Sequence, residues 1–248
     1  MKKTVLAVLA LAVLAASHAR GADLIQPTPV YKAPPPSRMP VYTWTGCYIG
    51  GNVGWGRIDT RATFFGLRES VTSDGFVGGG QIGCDYQFAT SWVIGIEGLI
   101  DAAGIEGSHD STIIDPGDTY HSRTRWFGTI AGRLGFNIAP SFLFYGKGGW
   151  GFVDQRLTVT NTTTGVLIAT GENKKFNGPE AGAGFEWMLA PNWSLWAEWD
   201  HIFGRDEPVV FVTPGGVPIG TPSIRRDFDK VLAGVNWRFG GGPVPAAY

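Results

Sequence analysis

Between residues 43 and 239 apolar and polar side chains alternate with a period of two, the repeat of an extended strand. Eight such runs are predicted, at 44–57, 74–88, 92–103, 123–138, 142–155, 176–189, 193–204 and 228–239. One lane carries large apolar groups, among them Ile49, Trp55, Ile96, Ile130, Phe144, Trp150, Phe185, Trp199 and Val235, and no Asp, Glu, Lys or Arg. The other carries Asn52, Gln81, Asp85, Glu97, Asp101, Arg125, Arg133, Lys147, Glu180, Glu186, Glu198, Asp200, Lys230 and Arg238, interspersed with glycine. A water-soluble barrel would turn the apolar lane inward, but these rings are too many and too large for an eight-stranded interior. The lanes therefore predict an all-β fold turned inside out, an eight-stranded antiparallel transmembrane up-and-down β-barrel. Closure leaves no sheet edge unpaired in hydrocarbon, and the charges face the lumen.

The connections agree. "ATS" (89–91), "APS" (139–141) and "APN" (190–192) are short and made of turn residues, whereas 58–73, 104–122, 156–175 and 205–227 are long and polar. That alternation separates a short-turn periplasmic rim from a long-loop extracellular rim. Trp44, Phe88, Trp92, Phe142, Trp193 and Phe239 fall near the short-turn rim, where rings form an interfacial girdle.

Composition supports this picture. The 248 residues include 37 Gly, 10 Trp and 15 Phe but only 17% charged residues, and the formal charge of -1 gives nucleic acid no basic surface to meet. Lys2 and Lys3 precede an apolar run from Val5 to Ala16 and then small residues, which predicts a signal peptide over 1–21. Its removal takes away Lys2, Lys3 and Arg20 and no acid, so the charge falls from -1 to -4. Residues 22–42 are rich in proline and read as an extended periplasmic arm, able to reach about 60 Å, or as a disordered segment. The barrel domain follows over 43–239, and 240–248 forms a short periplasmic tail.

Gly78, Gly80 and Gly83 stand at the spacing of a dinucleotide-binding loop. Such a loop must follow a buried strand and open a helix, and here the alternation runs straight on through Cys84, Tyr86 and Phe88. The glycines instead suit a tightly curved sheet in which neighbouring rings lie over bare backbone. In an interior only wide enough for its own side chains, Glu97, Glu186 and Glu198 facing Arg125, Arg133, Lys147 and Arg238 predict an ionic plug, the alternative being a selective ion path. His109 and His121, in one loop with Asp110, Asp115 and Asp118, lack tight ligand spacing, and neither metal nor cofactor is expected. His201 is the sole histidine of the wall. With no serine two residues away, and Ser194 far down its strand, it gives poor support to lipid-modifying catalysis. Cys47 and Cys84 share a lane on neighbouring strands, and their numbers centre the hairpin at 65.5, which makes them a candidate cross-strand disulfide.

The stretches "WTGCYIGGNVGWG", "GFVGGGQIGCDYQF", "GIEG", "WFGTIAGRLGF", "YGKGGWGF", "GAGFEW", "PNWSLWAEW" and "VLAGVNWRF", in this order, resemble the alphaproteobacterial outer-membrane immunogenic proteins. These are small porin-family surface antigens with an OmpA-like barrel. The resemblance implies Gly234, Trp237 and Phe239 as the signal read by the outer-membrane assembly machinery, with Leu232 replacing a usual polar residue. It also implies that Ala131, Trp196 and Leu232 stand at lumen positions that are often basic in the family. The implied role is a non-enzymatic structural surface protein in the outer membrane, its long loops outside. Its partners would be lipid and lipopolysaccharide, the assembly machinery, and peptidoglycan or host surface molecules. A narrow porin and a lipid-modifying enzyme are the alternatives.

Overall fold

The structure is a computed structural model that describes residues 42–111, 116–172 and 175–239. The expected signal peptide, all but the last residue of the proline-rich arm, and the tail at 240–248 lie outside the described residues. Eight long strands are present: β1 (Gly46–Phe64), β2 (Leu67–Gln87), β3 (Trp92–Asp110), β4 (Asp118–Ala139), β5 (Phe142–Asn161), β7 (Lys175–Ala190), β8 (Trp193–Ile202) and β12 (Ser223–Phe239). Four short ones, β6 (Leu167–Gly171), β9 (Glu207–Pro208), β10 (Phe211–Val212) and β11 (Pro218–Gly220), lie at the long-hairpin rim. Each long strand pairs antiparallel with its neighbours, from β1 round to β8, and β12 pairs with both β8 and β1, so the ladder returns to its start.

The ring explains the two lanes. Successive side chains alternate across the wall, so every strand contributes one face to the outside and one to the lumen. Val53, Ile96 and Ile130 are 67–69% exposed on the outer face, while Glu186 and Asp200 are fully buried within. An exposed apolar surface that wraps a whole cylinder belongs against hydrocarbon rather than water.

Three particulars differ from expectation. The strands run well beyond the predicted limits at the long-hairpin rim: β1 and β2 stay paired up to Phe64↔Leu67, so the loop expected at 58–73 is a turn of Phe65 and Gly66. Both turn residues have positive φ, 48° and 82°, as tight hairpins that match the strand twist require. Above the apolar band the outer face turns polar (Arg57, Asp59, Asp74, Glu106, Asp229), so period two persists there while the hydrophobic contrast that reveals it fades. Trp44, expected in the outer girdle, is fully buried in the lumen, on the same side as Tyr48, four residues away. Finally, Arg125 lies outside, as described below.

The lumen is filled in layers. Nearest the short turns, Trp44, Val93, Leu143, Tyr145 and Met188 pack together. Charged groups fill the middle. Above them Ile58, Ile105, Phe127, Val153, Phe176, Ile202 and Phe228 form a second apolar layer, with the Phe127 and Phe228 rings edge to face at 4.9 Å. A third cluster, Leu157, Val159, Ala169, Val209, Phe211 and Ile224, sits at the long-hairpin end.

Candidate functional site

The charged middle layer is built by strands far apart in the chain. Arg133 of β4 donates through Nε to Asp85 Oδ1 of β2 (2.7 Å) and through Nη2 to Asp85 Oδ2, and Nη2 also reaches Glu186 Oε2 of β7 (2.8 Å). Arg238 of β12 closes the circuit, its Nη2 lying 2.8 Å from Asp85 Oδ2 and 2.9 Å from Glu186 Oε1. Two carboxylates and two guanidiniums thus alternate in a ring, each touching both opposite charges. The planar fork of arginine allows this, because its five donors reach several oxygens at once.

A second set is lysine-centred. Lys147 of β5 holds Glu97 (3.1 Å), Glu198 (2.8 Å) and Asp200 (3.3 Å), and Lys230 of β12 holds Asp200 (2.7 Å) and Glu180 (2.9 Å). Arg133 Nη1, 3.7 Å from Glu97 Oε2, joins the two sets. Tyr48 and Tyr145 donate to Glu97 (2.8 Å) and Glu198 (3.0 Å) and present their ring faces to Arg133 at 5.0 and 4.8 Å. Ser194 donates to Glu186, and Asn236 donates to the same carboxylate at 3.1 Å. Such mutual satisfaction lets charges stay ionised out of water, since each meets a partner at hydrogen-bond distance.

Of the residues singled out in the sequence, Glu97, Arg133, Lys147, Glu186, Glu198 and Arg238 lie together in this cluster. Arg125 does not. At a bulge Thr124 pairs with Gln155 and Trp126 with Asp154, so Arg125 is the extra residue without a partner on β5. The bulge resets the alternation: Thr124 and Phe127 point inward and Arg125 is exposed, with no ion pair among the described residues. Asp85, Glu180, Asp200 and Lys230, assigned by alternation to the polar lane alone, belong to the network too, as do Tyr48 and Tyr145, which charge patterning does not reveal; the even numbers of Tyr48 and of Asn52 four residues on put Tyr48 on the inner side of β1. Ala131, Trp196 and Leu232 all face inward and are buried, apolar groups set among the charges.

Cys47 and Cys84 stand directly opposite each other, Cα atoms 3.9 Å apart, and are joined as a disulfide on the outer face. The link closes β1 and β2 near the short-turn rim and restrains the unfolded chain. Gly234 lies inward beneath the Trp196 ring, while Trp237 and Phe239 point outward with ring centroids 4.4 Å apart. His201 faces outward, its Nδ1 2.9 Å from Asp229 Oδ1 of β12, whereas Ser194 is buried inside on Glu186, so the wall separates the two. His109 faces Glu69 at 3.9 Å and His121 meets Thr160 at 2.9 Å, and no group of three or more metal-ligating side chains occurs among the described residues.

One luminal charge stands apart. Arg226 pairs in register with Thr60, above the rim where Arg57, Asp59, Asp227 and Asp229 end the apolar outer band. It is 2% exposed, its guanidinium lies 5.5 Å from the Phe176 ring, and none of its three side-chain nitrogens has a hydrogen-bond partner among the described residues. Burial lowers its pKa to about 10, against the smaller opposing pull of Glu207. A base depressed in the folded state disfavours folding below that pKa, and the penalty is relieved only as pH rises from there toward the unfolded value, where the unfolded chain binds the extra proton. Arg226→Met is therefore expected to leave the barrel as stable at neutral pH or to stabilise it by about 1 kcal/mol, measured by urea unfolding in lipid vesicles. A loss of more than about 2 kcal/mol would show that a partner holds the guanidinium.

Known proteins supply the family. A model of the outer membrane protein beta-barrel domain matches residues 5–239. The chain belongs to that family. This outer-membrane barrel is 28% identical to the 31 kDa outer-membrane immunogenic protein of Brucella melitensis over 249 residues, covering 96% of this chain and 100% of that one, and equally to its counterpart in Brucella suis. Among solved structures it matches the outer membrane protein OprG of Pseudomonas aeruginosa (13% identity, 79% of this chain and 96% of that one, TM-score 0.42). It also matches the outer membrane protease OmpT of Escherichia coli (10% identity, 82% and 99%, TM-score 0.45). The barrel is thus an outer-membrane protein homologous to an immunogenic one.

Proposed function

We propose that this barrel is a closed, non-enzymatic surface protein whose wall anchors the long hairpins outside the cell and the N-terminal arm in the periplasm. The observation that carries the reading is the filled lumen. An ion entering from the long-hairpin rim, once past Arg226, meets the layer of Phe127, Phe228, Phe176 and Ile105 before it reaches the ionic cluster, and Trp44, Leu143 and Met188 stand beyond that cluster. A packed apolar layer opposes ion passage, because desolvating an ion costs several kcal/mol. The ionic cluster then acts as a brace between strands rather than a filter. Lipid and lipopolysaccharide contact the outer face, the assembly machinery reads Gly234, Trp237 and Phe239, and peptidoglycan or host surface molecules are the partners left to the arm and the hairpins. The opposite faces occupied by His201 and Ser194 argue against a serine–histidine catalyst in this wall.

Planar-bilayer recording of the purified, folded protein tests the reading: no reproducible conductance steps are expected in molar KCl. Steady single-channel steps would overturn it in favour of the narrow porin. In the ion-paired cluster six carboxylates (Asp85, Glu97, Glu180, Glu186, Glu198, Asp200) face four cations (Arg133, Lys147, Lys230, Arg238), so such a pore would prefer cations.

A further inference from the structure

The outer wall just above the apolar band carries a charge arrangement that anchoring alone does not require. In the register of the strands, the outward side chains of Asp229 (β12), Arg57 (β1), Asp74 (β2), Glu106 (β3), Arg123 (β4) and Arg156 (β5) form one row around the barrel. Arg57 stands between two acids. Arg123 and Arg156 instead stand directly opposite each other, and like charges so placed repel. Arg123 Nε lies 3.1 Å from Glu106 Oε1, whereas Arg156 has no ion pair among the described residues. Arg125, turned outward by the bulge, is exposed below them beside Trp126.

The barrel contains its own comparison. Arg61 and Arg225 are likewise directly opposite, across β1 and β12, and there the chain supplies the anion: Asp227 Oδ2 lies 3.5 Å from Arg61 Nη1 and 3.2 Å from Arg225 Nε. At Arg123 and Arg156 the wall has a groove of about 490 Å³, lined by both arginines, Ser108, His121 and Thr158, with Glu106 at one side. Asp154, two residues before Arg156, stands opposite Lys175 of β7. Arg123, Arg125, Arg156 and Lys175 thus outnumber the neighbouring Glu106 and Asp154, and the patch attracts an anion.

The height of the groove selects that anion. Phe152 on β5 and Ile100 on β3 belong to the exposed apolar band. Four residues at about 3.3 Å each, on a strand tilted by roughly 40°, raise Arg156 about 10 Å above Phe152. From there a guanidinium on its long stem reaches the headgroup layer, which extends about 5–8 Å beyond the hydrocarbon. Guanidiniums take phosphate through paired hydrogen bonds. A phosphate monoester, with three free oxygens and about −1.5 to −2 charges, suits two opposing guanidiniums better than a singly charged diester. We propose that this groove holds a monoester phosphate of lipid A, with acyl chains running down over Trp126, Phe152 and Ile100. The inference rests on the reading that the long hairpins face outside, which puts the groove in the outer leaflet with lipopolysaccharide.

Native mass spectrometry of the full barrel, released from detergent micelles, reads the lipid that stays bound. Bisphosphorylated lipid A is expected to bind with an apparent dissociation constant on the order of 1 µM, and its phosphate-free form and phosphatidylglycerol at least about tenfold more weakly. Inorganic phosphate at millimolar concentration, the same group without the lipid, should leave lipid A in place. Arg123→Gln combined with Arg156→Gln should weaken lipid A binding at least about tenfold, and Arg156→Gln alone in the same direction. Arg61→Gln with Arg225→Gln removes equal charge from the pair that Asp227 bridges and should change binding less than about twofold. If that control does not fold, Arg61→Gln with Arg68→Gln replaces it. Equal binding of the three lipids, displacement by inorganic phosphate, undiminished binding to the Arg123 and Arg156 variants, or an equal loss in the control overturns the proposal. An epitope inserted at Thr164 tests the orientation separately, since antibody should reach it on intact cells. Without that access the outward reading fails and the proposal with it; with access but no lipid A preference, the proposal alone fails.

Discussion

Replacing Arg133 by methionine is expected to cost the folded barrel about 3–5 kcal/mol, the range seen when one member of a buried ion pair is removed and its partners stay behind. Asp85 would keep Arg238, but its bidentate contact would be gone, and Glu186 and Glu97 would each lose a cation. The side chain volume is nearly kept, so the loss reports stranded charge rather than a void. Urea unfolding of protein folded into lipid vesicles, followed by tryptophan fluorescence, measures it. Adding Glu186→Gln to Arg133→Met should recover part of the loss, because a neutral amide no longer needs the missing guanidinium while Asp85 keeps Arg238. A single variant within about 1 kcal/mol of the parent would mean that the cluster contributes little to holding β2, β4 and β7 together. The contrast with Arg226→Met is the instructive part: both side chains are buried arginines, yet among the described residues one has three acidic partners and the other none within hydrogen-bond reach.

Gly83→Val is expected to be comparably damaging, by about 3–5 kcal/mol, or to prevent folding. Gly83 lies on β2 directly opposite Tyr48 of β1, and a Cβ there would run into the Tyr48 ring and lie 2.8 Å from the Ile96 carbonyl. Overpacking costs about 1–3 kcal/mol, and pushing the ring aside also breaks the hydrogen bond from Tyr48 to Glu97, a charged acceptor, for about 1–3 more. The same relation recurs where Tyr145 faces Gly184 and Trp196 faces Gly234, so large luminal rings rest on bare backbone. Gly98→Val is the control, since a Cβ at Gly98 meets nothing within 4 Å. It should fold with heat-modifiable gel mobility like the parent and lose less than about 1 kcal/mol. Equal behaviour of the two variants would show that β propensity, rather than the Tyr48 ring, governs these positions.

The nucleotide-like spacing of Gly78, Gly80 and Gly83 is accounted for by the same geometry. Gly78 and Gly80 belong to the outward lane, and Gly83 makes room for a ring inside, in an unbroken strand from Leu67 to Gln87. The helix that a phosphate loop would open is not there.

Much of the wall was legible in advance because alternation is a local property of an extended chain. Parity alone assigns Ile96 to lipid and Glu97 to the lumen, and the centre of the first hairpin alone places Cys47 opposite Cys84, since β1 and β2 pair without a bulge from Gly46↔Asp85 to Phe64↔Leu67. The reading failed where that local rule was interrupted or lost its contrast: the extra residue at Arg125 shifted the phase, and the polar upper strands no longer alternate between greasy and charged. The partners of the luminal charges are another matter. Gln81 meets Asn236 across 155 residues and Arg238 meets Asp85 across 153, contacts set by how eight strands are staggered when the ring closes. The cavity between β11 and β1 depends likewise on β11 reaching β1 from the far end of the chain. Which side of the wall a residue occupies is determined by its own strand, through the two-residue repeat of the backbone; which charge it meets, and what space remains, is decided only by closure, because each strand's height against the others is a property of the whole ring.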